Sequence, residues 1–94
     1  MTYPILVEDA VLDFLKVLPE KSQRIIRSKI AHLGDNPYPG KDGDKECFTS
    51  RGKDPVYRLH ISRSYTAFYR IKDESVYVYD LMTIEKAHKK YGLI

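Results

Sequence analysis

The 94-residue sequence has one cysteine, Cys47, and no tryptophan. A lone thiol excludes an intrachain disulfide and a thiolate metal cluster. As a nucleophile it would need a neighbour that lowers its pKa, so Cys47 is expected as a buried or half-buried strand residue. The three histidines, His32, His60 and His88, fall on three different predicted elements, and neither HExxH nor a close cysteine pair occurs. No metal is expected. Gly34, Gly40, Gly43 and Gly52 fit turns, not a phosphate-cradling loop, so no nucleotide cofactor is expected. No hydrophobic run reaches the length of a membrane span. Met1-Thr2-Tyr3-Pro4-Ile5 lacks a basic signal start, and a cytoplasmic protein without a membrane partner is the expectation.

With 43% hydrophobic and 31% charged residues, the chain is not wholesale disordered. Its length suits one domain over residues 1–94. The net charge is only +3, but it is unevenly placed. Arg58 to Arg70 contains Arg58, His60, Arg63 and Arg70 and no acid, and the tail sets Lys86, His88, Lys89 and Lys90 against Glu85. That asymmetry creates a local positive field larger than the net charge suggests.

Periodicity supplies the architecture. Tyr3-Pro4-Ile5-Leu6-Val7 reads as a short strand whose proline suits its first position or an edge. Val7, Val11, Phe14, Leu15 and Leu18 mark one helical face, and Ile25, Ile26, Ile30 and Leu33 mark a second helix over about 20–33. Pro19 ends the first helix or opens the second. Gly34 is expected as a left-handed cap, and Asn36-Pro37 prevents continuation. Strands are predicted over Glu46–Ser50, Pro55–Ser62, Tyr65–Lys72 and Ser75–Met82, joined by polar turns, with a short helix over Thr83–Lys90. The fold class is α+β: an N-terminal strand and antiparallel helical hairpin on a largely antiparallel β-sheet, with a short C-terminal helix. Alternation puts Tyr57, Leu59 and Ile61 on one face and Arg58 and His60 on the other, which is expected to stay at least partly open. In the last strand it groups Tyr77, Tyr79 and Leu81 against Val76, Val78 and Asp80.

Arg58 and His60, two apart on a strand, project side by side. A guanidinium fork suits phosphate oxygens, and an imidazole exchanges a proton near neutrality. Together they could bind an RNA phosphate and assist attack by the 2′-hydroxyl; equally, they suit the solvated side of a half-buried strand. Thr66 and Arg70 can join them from the next strand. A tyrosine on an exposed strand can stack on a base, whereas one on the inner face is packing. His88 and Tyr91 are three apart on or just past the last helix, where Lys86, Lys89 and Lys90 add attraction; a packed amphipathic cap explains that segment as well.

The order of elements, Leu18-Pro19-Glu20 at the helical turn, Asn36-Pro37, Tyr57-Arg58-Leu59-His60-Ile61, Ser64-Tyr65-Thr66-Ala67-Phe68-Tyr69-Arg70-Ile71 and His88-Lys89-Lys90-Tyr91 together resemble the RelE/ParE toxin superfamily of toxin–antitoxin modules. The resemblance implies a ribosome-dependent, metal-independent mRNA endoribonuclease, with ribosome and mRNA as partners and Arg58, His60, Arg70, His88 and Tyr91 as catalytic candidates. Arg24, Arg27 and Lys29, with Arg63, Lys86, Lys89 and Lys90, would contact nucleic acid. Where the mRNA-cleaving branch usually carries an arginine, this chain has Thr66, and Arg63 or Arg70 would compensate. The alternatives implied are a ParE-like inhibitor of DNA gyrase and a catalytically inactive antitoxin-binding module. A cognate antitoxin is implied throughout.

Overall fold

A computed structural model describes residues 2–40, 43–49 and 51–91, with the backbone alone for Tyr91. Its elements are β1 (Ile5–Val7), α1 (Asp9–Lys16), α2 (Glu20–His32), β2 (Lys45–Phe48), β3 (Val56–Ile61), β4 (Tyr65–Lys72), β5 (Ser75–Thr83) and α3 (Ile84–Tyr91). They build one mixed sheet in the order β1-β5-β4-β3-β2. β1 runs parallel to β5, and the remaining pairs are antiparallel. Pro4 stands just outside β1 at the sheet edge, where its missing N–H costs nothing. Its carbonyl accepts from the Val76 N–H at 2.9 Å.

α1 and α2 form the expected hairpin on one face. Val11 and Leu15 of α1 and Ile26 and Ile30 of α2 are buried against Leu59, Ile61, Ala67, Tyr69, Val76, Val78 and Leu81. Each aliphatic side chain so buried contributes about 1.5–3 kcal/mol before entropy is counted. Pro19 occupies the N-cap position of α2. The Gln23 side chain donates to the Leu18 carbonyl at 2.9 Å, satisfying a group freed where α1 ends. Gly34 differs from its expected role, for it is not in the left-handed region; among the described glycines only Gly43 and Gly52 are. Its need is space. A Cβ there would come within 3.2 Å of the Tyr3 carbonyl, and the Tyr3 N–H donates to the Gly34 carbonyl at 2.6 Å.

In β5, simple alternation fails. Phe68 pairs with Asp80 but Tyr69 pairs with Val78, so a bulge inserts Tyr79. The phase shifts by one residue, and Leu81 joins Val76 and Val78 in the hairpin core. Met82 and Tyr79 belong instead to a second, smaller cluster with Phe68, Ala87 and Val56. α3 therefore lies on the second face, with Ala87 wholly buried. The Thr83 hydroxyl accepts from the Lys86 N–H at 3.2 Å, a serine/threonine-type cap.

The segment between α2 and β2 is tied to the sheet by tyrosines. Tyr69 donates its hydroxyl to the Pro37 carbonyl at 2.6 Å. Burial, helped by Tyr57, Asp44 and Cys47, pushes the Tyr69 phenol far above its ordinary value, so this donor keeps its proton. Tyr57 stacks on Tyr69, and Tyr38 meets both Tyr57 and Tyr3 edge-on. Cys47 departs from its expected burial and is exposed, because β2 is the edge strand farthest from β1. At the start of β2, Lys29 donates to Asp44 at 3.3 Å, and Lys45 lies 3.4 Å from the other carboxylate oxygen, an ion pair outside hydrogen-bond geometry. Burial alone would raise the Asp44 pKa, but the hydrogen bond from Lys29 and the two ammonium charges outweigh it and hold the carboxyl below its ordinary value.

Two stability measurements follow. The depressed Asp44 pKa means that the unfolded chain binds the proton first on acidification. The pair's contribution is thus complete above the unfolded aspartate pKa and fades as pH falls through the lower folded value. Urea denaturation should show Asp44→Asn less stable by up to about 1 kcal/mol at pH 7, with the gap closing in acid. The turn between β4 and β5 places both Asp73 and Glu74 at positive φ, 52° and 61°. This is the primed hairpin geometry that favours glycine. Glu74→Gly should therefore raise stability by about 1 kcal/mol, read as a higher thermal midpoint; a lower midpoint would refute the strain.

Candidate functional site

Arg58 and His60 do lie on the face of β3 opposite the helical hairpin, as their alternation with Tyr57, Leu59 and Ile61 requires. The expectation of an open face needs correction at Arg58. Its side chain is 1% exposed. It sits between two cross-strand neighbours, Glu46 on β2 and Phe68 on β4, beside the cluster that α3 covers. A buried guanidinium must have partners, since an unpaired buried charge costs several kcal/mol. Its Nε donates to the Thr66 hydroxyl at 3.2 Å, and that hydroxyl donates onward to the Leu59 carbonyl at 3.2 Å. Thr66 is wholly buried. The position has no room for a longer side chain without displacing Arg58 or Met82, its partner on β5.

His60 is more accessible, with 29% of its side chain exposed, and its Nε2 is hydrogen-bonded to Glu46 Oε1, whose side chain is 42% exposed. The His60 N–H donates to the Asp44 carbonyl at 2.8 Å, which fixes the strand beside the start of β2. A carboxylate and an imidazole are therefore hydrogen-bonded at the surface, with Glu46 directly across the ladder from the buried Arg58. Such a pair can move a proton to or from a bound hydroxyl. Sequence reasoning missed Glu46. Its alignment with Arg58 depends on the β2–β3 register, and the seven residues between those strands leave the register open in the sequence.

The remaining candidates are spread over the molecule. Arg70 is exposed on the same face, its guanidinium 5.6 Å from the centre of the Tyr79 ring. Arg63 is exposed in the turn after β3. His88 is exposed on α3, and its side chain makes no hydrogen bond or ion pair with another described residue. Lys86 is exposed, Lys89 lies 4.0 Å from Glu85, and Lys90 pairs with Asp80 at 3.0 Å. The Tyr91 side chain lies outside the described residues. Arg24, Arg27 and Lys29 are on α2, across the sheet from Arg58 and His60. Arg24 and Lys29 line a cavity of about 630 Å³ with His32, Asp44 and Lys45, where Asp44 is ion-paired with both lysines. Among the described residues no three histidine, cysteine or acidic side chains gather as metal ligands, and no helix is long and apolar enough to cross a membrane.

The fold is shared with solved toxins. The RelE–RelB complex of Pyrococcus horikoshii OT3 contains a chain with 22% identity and a TM-score of 0.74, matched over 88% of this chain and 96% of that one. A YoeB dimer from Staphylococcus aureus gives 14% identity and 0.67, over 87% and 97%. The isolated E. coli RelE toxin gives 17% and 0.63, over 97% and 99%. No curated protein sequence matches the chain. Residues 5–87 match the family described as the ParE toxin of type II toxin-antitoxin system, parDE. With all but a few terminal residues matched, and with this hairpin-on-sheet architecture, the chain belongs to the ParE toxin family within the RelE/ParE superfamily.

Proposed function

We propose that this toxin is a metal-independent endoribonuclease that cleaves mRNA on the ribosome. The observation that carries the reading is the Glu46–His60 pair, held at the surface beside Arg58. Cleavage by the adjacent 2′-hydroxyl requires a base at the 2′-oxygen, positive charge at the phosphoryl oxygens and a proton for the departing 5′-oxygen. The 2′-oxygen–phosphorus bond forms as the phosphorus–5′-oxygen bond breaks, leaving a cyclic phosphate and a 5′-hydroxyl. Glu46 and His60 are the proton-transfer pair in this reading. Arg58 is too buried to fork a phosphate directly. Its charge acts from beneath the pair, with Thr66 as the positioning residue that holds its Nε. Arg70 and Arg63 are the exposed cations left to meet the phosphate chain. The P. horikoshii relative was crystallised with RelB, and we extend that relationship to a cognate antitoxin for this chain.

A second reading, inhibition of DNA gyrase, is favoured by two specific observations: the ParE description of the matching family and the burial of Arg58 beside Thr66. The two readings separate in one pair of assays. In ribosome-bound message cleavage, Glu46→Gln and His60→Ala should each lose at least about 100-fold in rate, the usual contribution of a general acid or base. Gyrase supercoiling should be unaffected by the parent protein. Intact messages together with blocked supercoiling would replace the nuclease reading by the second one.

A further inference from the structure

Beyond the Glu46–His60 pair, the same face carries a row of which the proposed chemistry uses only Arg70. Tyr77 on β5 is flanked by Leu6 on β1 and by Arg70 on β4, each directly across the ladder. Leu6 is 50% exposed and Tyr77 38%. Two interior strands thus present an aromatic ring and a guanidinium to solvent next to each other. Arg70 has no carboxylate within ion-pair distance among the described residues. It is steadied instead by the Tyr79 ring, so its charge is oriented without being neutralised. Beside it lies a cavity of about 380 Å³, lined by Asp54, Pro55, Arg70, Ile71, Lys72 and Tyr77. Its volume falls in the range of small-ligand sites. Two cations against the single acid Asp54, with a phenol ring as one wall, match a nucleotide's phosphate and base better than a peptide. A peptide strand would look for a free backbone edge, whereas Tyr77 is paired on both sides, with Leu6 and with Arg70.

The position matters as much as the chemistry. Phe68 pairs with Arg58 across the ladder and stands two residues before Arg70 on the same face. Arg58 and Arg70 are therefore diagonal neighbours, roughly 7–8 Å apart at the backbone, and Glu46 faces Arg58 from the strand beyond, so Arg70 lies further along the same face from the Glu46–His60 pair. We propose that Tyr77, Arg70 and Lys72 form a second nucleotide subsite on the RNA path, where Tyr77 stacks on a base and Arg70 holds a phosphate of the strand whose reacting nucleotide lies at Glu46 and His60. The subsite deepens the nuclease reading and rests on it for its position, but its binding is measurable without cleavage.

The probe is a fluorescent RNA hexamer with 2′-O-methyl sugars, which binds but cannot react, titrated by anisotropy at several salt concentrations. Tyr77→Ala should weaken binding about tenfold, and Tyr77→Phe, which keeps the ring, should restore it. Arg70→Gln should lower the slope of log affinity against log salt by about 0.7, the signature of one fewer phosphate neutralised on a single strand. Circular dichroism of each variant establishes that the exposed substitutions leave the fold intact. Parent-like affinity in Tyr77→Ala, or an unchanged slope in Arg70→Gln, would overturn the subsite even if message cleavage through Glu46 and His60 stands. Weaker binding by Tyr77→Ala with no message cleavage in any form supports the subsite and removes only the nuclease reading.

Discussion

The stretch of β4 from Thr66 to Tyr69 is buried on both of its faces, and the rest of the molecule is arranged around that demand. Ala67 and Tyr69 point into the hairpin core, while Thr66 and Phe68 point the other way and are equally inaccessible. A chain of this size buries only a modest fraction of its surface, so a second covered face is a substantial share of its stability. The helical hairpin covers one side with two apolar stripes. The other side is closed by a single short helix resting on Phe68, Met82 and Ala87.

From that two-sided burial follows the state of Arg58. Once Phe68 and its neighbours exclude water, a guanidinium on the adjacent strand either finds acceptors or destabilises the fold. The Thr66 hydroxyl is one such acceptor, taking a hydrogen bond from Arg58 Nε and donating its own proton to the Leu59 carbonyl. Thr66 thus has a structural role here, holding the Nε of an internal cation. The exposed functional groups are displaced to either side, with Glu46 and His60 towards β2 and Arg70 and Tyr77 towards β5. The groups exposed to a polynucleotide therefore stand on either side of the covered Phe68–Met82 centre of that face.

The same layout bears on local stability. The hairpin core is extensive and tied to the connecting loop by the Tyr69–Pro37 hydrogen bond and the tyrosine stack. The second cluster is small, and α3 depends on it together with the Lys90–Asp80 ion pair and a threonine cap. Regions with few buried apolar contacts open at lower free energy than the global fold. α3 is therefore the element whose opening would first expose Phe68 and Met82.

The amino-acid order by itself determined the elements and their faces wherever a single period ran unbroken: the two apolar stripes of the hairpin, the alternation of β3 and β4, and the grouping of Arg58 with His60. These follow from local geometry, since a helix repeats every 3.6 residues and a strand every two whatever lies around them. Only the tertiary structure decided what depends on register and on distant covering groups. The bulge at Tyr79 moved Leu81 into the core and sent Asp80 to the other face. The β2–β3 pairing brought Glu46 to His60 across a loop whose length alone does not set the register. Accessibility was likewise beyond reach of the pattern, because alternation assigns Arg58 a direction but not the helix that closes over that side of the sheet.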